Sequence, residues 1–193
     1  MQRLKKLFLS ELTEDLSHTQ RLAYIAMVTA FCVVANMFFE FKFADVQFSL
    51  TLFISALAGM IIGPIYGFCA CFIGDLVGFL YNSGGFTYMP WIGLAMGVTA
   101  FLSGFIMNQP LNFKGSDYIK IAVVCFTTFA VCTVAINTTA FWIVYNMRRV
   151  PYTTYLVARL FVQGQIFNSL FNYALLFIIY PIIKKLIRTL AGN

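Results

Sequence analysis

With 193 residues, 61% of them hydrophobic and 10% charged, and a mean hydropathy of +0.83, the chain carries more apolar side chain than one interior can hide, which excludes a soluble globular domain or a disordered chain. The formal charge of +6 does not mark a nucleic-acid binder, because the basic residues gather at the ends of apolar runs, where membrane proteins place them. An integral membrane protein remains, and its 22 Phe and 10 Tyr exceed what interfacial belts need, although lipid-facing packing is the plainer reading for most of the Phe.

Residues 1–18 hold Arg3, Lys5 and Lys6, then Glu11, Glu14 and Asp15 within a short apolar run. That run is too short for a secretory signal and lacks a small-residue cleavage site. Leu4, Leu7, Phe8, Leu12 and Leu16 recur at helical spacing, so this leader reads as an amphipathic helix on the cytoplasmic membrane surface or, equally, as a frayed tail. His18 is the single histidine and the five cysteines lie in apolar spans without zinc-like spacing, so neither a metal nor a cofactor is expected.

Apolar spans follow at about 20–39, 49–63, 65–82, 90–107, 118–146 and 152–183, lengths able to cross a bilayer with tilt or kinks. The expected fold is therefore all-α, a single membrane domain over 1–193 built as a bundle of six transmembrane helices. Gly63 and Pro64 alone join the second and third spans, which implies a tight helical hairpin or a span with an irregular middle. If the N-terminus is cytoplasmic, nine Lys and Arg fall inside against Lys42, Arg148 and Arg149 outside, with Arg159 within a span, so both termini are placed in the cytoplasm and the chain in the cell membrane.

Ala26 and Ala30 share one face of the first span, and Gly59, Gly63 and Gly67, then Gly74 with Gly78 and Gly93 with Gly97, repeat that four-residue spacing. Small residues so spaced let helix backbones approach closely, and on an outer face they would admit a partner helix. Asp75 lies inside the third span, where an unpaired carboxylate is costly. Its candidate partners are Arg159, a bound cation, a proton or the N–H groups of a ligand.

The stretch 134–172, VAINTTAFWIVYNMRRVPYTTYLVARLFVQGQIFNSLFN, is the most informative. An intramembrane arginine costs about 2.5–3.5 kcal/mol on insertion scales, so Arg159 should face a partner, a cavity or a ligand. Helical spacing sets Tyr152, Tyr155, Arg159 and Gln163 on one stripe and Asn137, Phe141 and Tyr145 on another. Arg148 and Arg149 stand above Arg159, either as a funnel for an anionic solute or as contacts to lipid phosphates. Gln165, Asn168, Ser169 and Asn172 fall on the opposite side of the last helix and read as hydrogen-bonding links between helices. No GxxxxGK[ST], GxSxG or HExxH pattern occurs, so neither ATP hydrolysis by P-loop chemistry nor another catalytic activity is expected of this chain.

The stretch AGMIIGPIYGFCACFIGDLVGFLYNSGGFTYMP, Ala58 to Pro90, resembles the signature of the substrate-binding S components of energy-coupling factor (ECF) vitamin transporters. INTTAFWIVYN followed by VPYTTYLVARL is most similar to their folate-specific branch, and Ala26-x-x-x-Ala30 is similar to their docking motif. The sequence departs from that branch near Asn168, where a proline is expected and absent. The resemblance implies a six-helix bundle that captures folate outside the cell. It also implies docking on a transmembrane coupling subunit that carries two ATPase subunits. A pterin, flat and edged with donors and acceptors, would stack among Trp91, Tyr88 or Trp142 and meet Asp75 or Asn137. Its glutamate carboxylates suit Arg159, with Arg148 and Arg149 nearer the mouth. The alternatives are an S component for another vitamin such as thiamine, and a membrane protein with no transport role.

Overall fold

The computed structural model describes residues 8–10, 13, 16–38, 40–43, 46–81, 87–110, 115–146 and 149–190. Helix α1 (His18–Phe38) leads into an antiparallel hairpin of β1 (Glu40–Phe43) and β2 (Val46–Ser49), which pairs Glu40 with Ser49 and Phe43 with Val46. Helices α2 (Thr51–Ile62), α3 (Pro64–Tyr81) and α4 (Pro90–Met107) follow. Helix α5 is one rod over 116–146, α-helical at Ser116–Thr128 and Thr139–Phe141 and widened to π geometry at Phe129–Thr138 and Trp142–Asn146. Helix α6 runs Tyr152–Val157 and continues as a π turn at Ala158–Val162; α7 is Gln165–Leu190.

Two features depart from a purely helical six-span reading. The hairpin adds a small sheet between α1 and α2, where the alternation of Phe41, Lys42 and Phe43 followed by Val46, Gln47 and Phe48 carries a period of two. The last span is divided, because Gly164 takes φ +69° and ends α6, so the described residues form seven helical rods. A single helix over 152–190 would run to roughly 58 Å, about twice the ~30 Å hydrocarbon core. Among the described residues four helices are long and apolar enough to cross a membrane, within Pro64–Tyr81, Pro90–Met107, Ser116–Tyr145 and Gln165–Thr189.

The glycine pattern marks real close approaches. Gly63, at φ +104°, turns the chain between α2 and α3 and resolves the two readings of that junction as a tight hairpin. Beyond the turn α2, α3 and α4 meet at Gly59. A Cβ there would stand 1.8 Å from the Ala100 carbonyl oxygen, and one at Gly67 would stand 2.7 Å from Gly59 Cα. On the other face of α3, Gly74 receives Cys32 of α1.

The described leader residues are tucked under this hairpin. Ser10, Thr13 and Leu16 are buried, Ser10 Oγ donates to the Ile61 carbonyl, and Asn108 Nδ2 donates to the Leu9 carbonyl at 2.8 Å. Of the cysteines, Cys69 is exposed on α3 and the other four are buried, all as free thiols.

Candidate binding site

A cavity of about 160 Å³ lies between the first turns of α2, the first half of α4, the π segment of α5, Arg159 of α6 and the start of α7. Ser55 Oγ, Asn137 Oδ1 and Arg159 Nε on its walls are buried without a hydrogen-bond partner. An unmet buried polar atom costs roughly 1–3 kcal/mol, and lipid around the bundle offers no water to relieve it. These atoms are therefore positioned for something that enters the cavity. A larger recess of about 330 Å³ opens between α5 and α7 at Phe126, Phe129, Ile166 and Leu170, but its surface is apolar and gives a ligand no direction. Convergent polar groups, more than volume, single out the smaller cavity.

Arg159 sits in the π turn that closes α6. Its guanidinium carbon stands 4.4 Å from the centroid of the Phe141 ring, and Nη1 donates to the Tyr155 hydroxyl at 3.3 Å. The cation–π contact and the phenol hold the fork in place, and among the described residues Arg159 makes no ion pair. Asn137 and Phe141 come to the same cavity from α5, where the wide turn over Phe129–Thr138 is stitched by Thr138 Oγ1 donating to the Thr133 carbonyl at 2.8 Å. Such π segments replace i→i−4 bonds with i→i+5 geometry and recur at functional sites. Those at Phe129–Thr138 and Ala158–Val162 both line the cavity.

The aromatic residues form a layer behind it. Trp91 meets the Phe141 ring edge-on at 5.9 Å with its indole Nε1 buried and unpartnered, and Tyr145 stacks on Phe141 at 6.1 Å. Trp142 packs edge-on against Tyr152 at 5.4 Å and donates to the Val150 carbonyl, while the Tyr152 hydroxyl bonds Thr139 Oγ1. Those two therefore brace the corner between α5 and α6 and do not line the cavity. Gln163 is exposed past the end of α6, where its N–H closes the last π turn on the Ala158 carbonyl. Arg149 is exposed at the same corner. Arg148 lies outside the described residues.

Asp75 does not line the cavity and meets α4 at Gly93, beside the face that does. A Cβ at Gly93 would stand 2.7 Å from Asp75 Oδ2 and 3.1 Å from the Tyr88 hydroxyl, so the carboxylate and the phenol close over that glycine. Ile92, Ala95, Met96 and Thr99 of the same helix face the cavity. Burial first, and the Asp75 charge second, push the Tyr88 phenol up to about 12, which keeps it a neutral proton donor beside the carboxylate.

Among the cavity residues that sequence reasoning does not assign are Ser55, Thr99 and Thr133, and also Gln165 and Asn168, whose spacing reads as helix links. Isolated hydroxyls in apolar spans were the available signal for the first three. Asn168 does both jobs, since its Oδ1 also accepts the Ser49 N–H at 3.1 Å.

Apolar helices that enclose, toward the hairpin end, a cavity holding an arginine, an asparagine and an aromatic backing define a membrane protein that binds a small solute. Over residues 17–188 the sequence matches the family described as ECF-type riboflavin transporter, S component, and the chain belongs to that family. It is thus a multi-pass membrane protein and the substrate-binding component of a transporter, not an enzyme. The fold is also that of the crystal structure of FolT bound with folic acid, at a TM-score of 0.64 and 19% identity, covering 83% of this chain and 92% of that one. No curated protein sequence matches the chain.

Proposed function

We propose that the chain captures folate at the outer face of the cell membrane and passes it to an ATP-driven coupling module. The observation that carries the reading is Arg159, a guanidinium in a membrane cavity with no carboxylate paired to it among the described residues. A dicarboxylate tail supplies the partner that arginine's planar fork fits. Asn137 Oδ1 and Ser55 Oγ then meet polar atoms of the ligand, with Phe141 backed by Trp91 and Tyr145 as the aromatic surface. The folic acid in the FolT structure, which shares this fold, supports the same choice.

Riboflavin is the second reading, favoured by the description of the family. Its ring system is flat but it carries no carboxylate, so Arg159 would remain without a counter-charge. Titration of the purified chain with folic acid, riboflavin and thiamine, followed by tryptophan fluorescence, decides among them. Folic acid is expected to bind at least tenfold more tightly than either competitor; tighter binding of riboflavin would overturn the folate reading.

Asp75 then acts on the fold, through its closure with Tyr88 over Gly93. Asp75→Asn is expected to lower the thermal midpoint while leaving folic acid affinity within about threefold. A loss of more than tenfold with an unchanged midpoint would instead put the carboxylate at the ligand.

The charge count supports a topology with Lys42, Arg148 and Arg149 outside and both termini in the cytoplasm. On α1, Ala26 and Ala30 are exposed beside Met27 and Phe31, away from the cavity. Small side chains on an outward face let a partner helix approach closely, which suits a transmembrane coupling subunit bearing two ATPase subunits. Ala30→Trp is expected to leave folic acid binding by the isolated protein intact and to reduce ATP-driven uptake in cells carrying the module at least fivefold, roughly 1 kcal/mol of lost docking. Normal uptake would place the docking face elsewhere.

A further inference from the structure

We infer that Asn172 is a positioning residue, a cap supplied by α7 to the first turn of α2, which sets one wall of the cavity and so the affinity of the site. The inference rests on the cavity being the ligand site proposed above. Helix α2 begins after Leu50, whose side chain accepts nothing, and its N-terminal position makes no side-chain cap bond. The first N–H groups of a helix have no partner within it, and inside a membrane they need one from elsewhere in the protein.

Asn172 meets that need from 119 residues away. It is fully buried; its Oδ1 accepts the Phe53 N–H at 3.0 Å, and its Nδ2 donates at 2.8 Å to both the Ser49 and Asn168 carbonyls. Asn168 Oδ1, itself 3.1 Å from Asn172 Nδ2, accepts the Ser49 N–H. One carboxamide thus grips both sides of the junction between β2 and α2, which requires an acceptor and two donors on a short stem. Ser49, Thr51, Leu52 and Ser55 of that junction line the cavity, and Asn172 does not. It acts on the ligand only through the wall it holds.

A purely structural link between α2 and α7 would change stability but not the wall. Two variants of the full chain in lipid nanodiscs separate the cases. Asn172→Leu keeps the shape and removes every hydrogen bond; Asn172→Asp keeps an acceptor toward Phe53, where a helix N-terminus favours negative charge, but loses the amide donors. Each is read by amide hydrogen exchange over 49–55 without ligand and by titration with folic acid and riboflavin.

Asn172→Leu is expected to speed exchange at Phe53 about tenfold and to weaken folic acid binding about tenfold. Asn172→Asp should leave Phe53 protected, strip the Ser49 carbonyl of its donor, and lose affinity to a smaller degree. If Asn172→Leu does not fold, Asn172→Ala, which also removes every hydrogen bond of the carboxamide, takes its place in both measurements. Unchanged exchange overturns the cap, and faster exchange with unchanged affinity overturns the positioning role. Should the wild-type chain bind neither vitamin, the ligand reading falls by itself, and exchange at Phe53 still decides the cap.

Discussion

Arg159→Ala is expected to weaken folic acid binding by at least tenfold. The guanidinium lies over Phe141 and bonds Tyr155, with Nε buried and unmatched, so its orientation is set before a ligand arrives. Truncation removes a charge-assisted contact in a desolvated cavity, a loss of about 1.5–3 kcal/mol, or roughly ten- to 150-fold in affinity. Arg159→Lys should recover only part of it, since an ammonium is a point charge that cannot reproduce the bidentate fork. Isothermal titration of the folded variants checks both. Binding of Arg159→Ala equal to wild type would remove Arg159 from the site and with it the argument for an anionic ligand.

The second large effect is on the fold itself. Gly59→Ala places a methyl group 1.8 Å from the Ala100 carbonyl oxygen and 2.5 Å from its carbonyl carbon, and these are backbone atoms of a helix that cannot turn aside. On the same glycine converge α3 at Gly67 and a second point of α4 at Gly104, whose own Cβ would stand 2.5 Å from the Gly59 carbonyl oxygen. Relief requires α2 and α4 to separate. Overpacking of a tight core costs typically about 1–3 kcal/mol, and a backbone-to-backbone clash belongs at or beyond the upper end. Because Ser55 and Met96 line the cavity one turn from these contacts, a lost thermal midpoint and lost ligand binding should appear together. A monodisperse Gly59→Ala protein with an unchanged midpoint would show that the helices do not meet there as closely as described.

Gly115 offers an internal contrast. It takes φ +90° with nothing within 4 Å of a built Cβ, so its demand is conformational, whereas that at Gly59 is steric. The four-residue spacing of glycines announced close packing but not which pairs of helices it joined. That depended on α2, α3 and α4 crossing at one point.

Composition and hydropathy by themselves determined that this is a multi-span helical membrane protein, since 61% hydrophobic residues in 193 leave no other environment for the chain. The cost of an arginine in lipid likewise marked Arg159, and the spacing of Tyr155 to Arg159 and of Asn137 to Phe141 set out two stripes that do face one another. Local spacing says nothing about the side of a neighbouring helix on which a residue lands. Asp75 lies at Gly93 outside the cavity, and Trp142 and Tyr152 at a corner, because helix rotation is decided by packing at glycines such as Gly93. The break at Gly164 and the cap from Asn172 to Phe53 were also decided only by the tertiary structure. Each depends on a partner distant in the chain or on the limited thickness of the membrane, and neither leaves a periodic trace in the residues concerned.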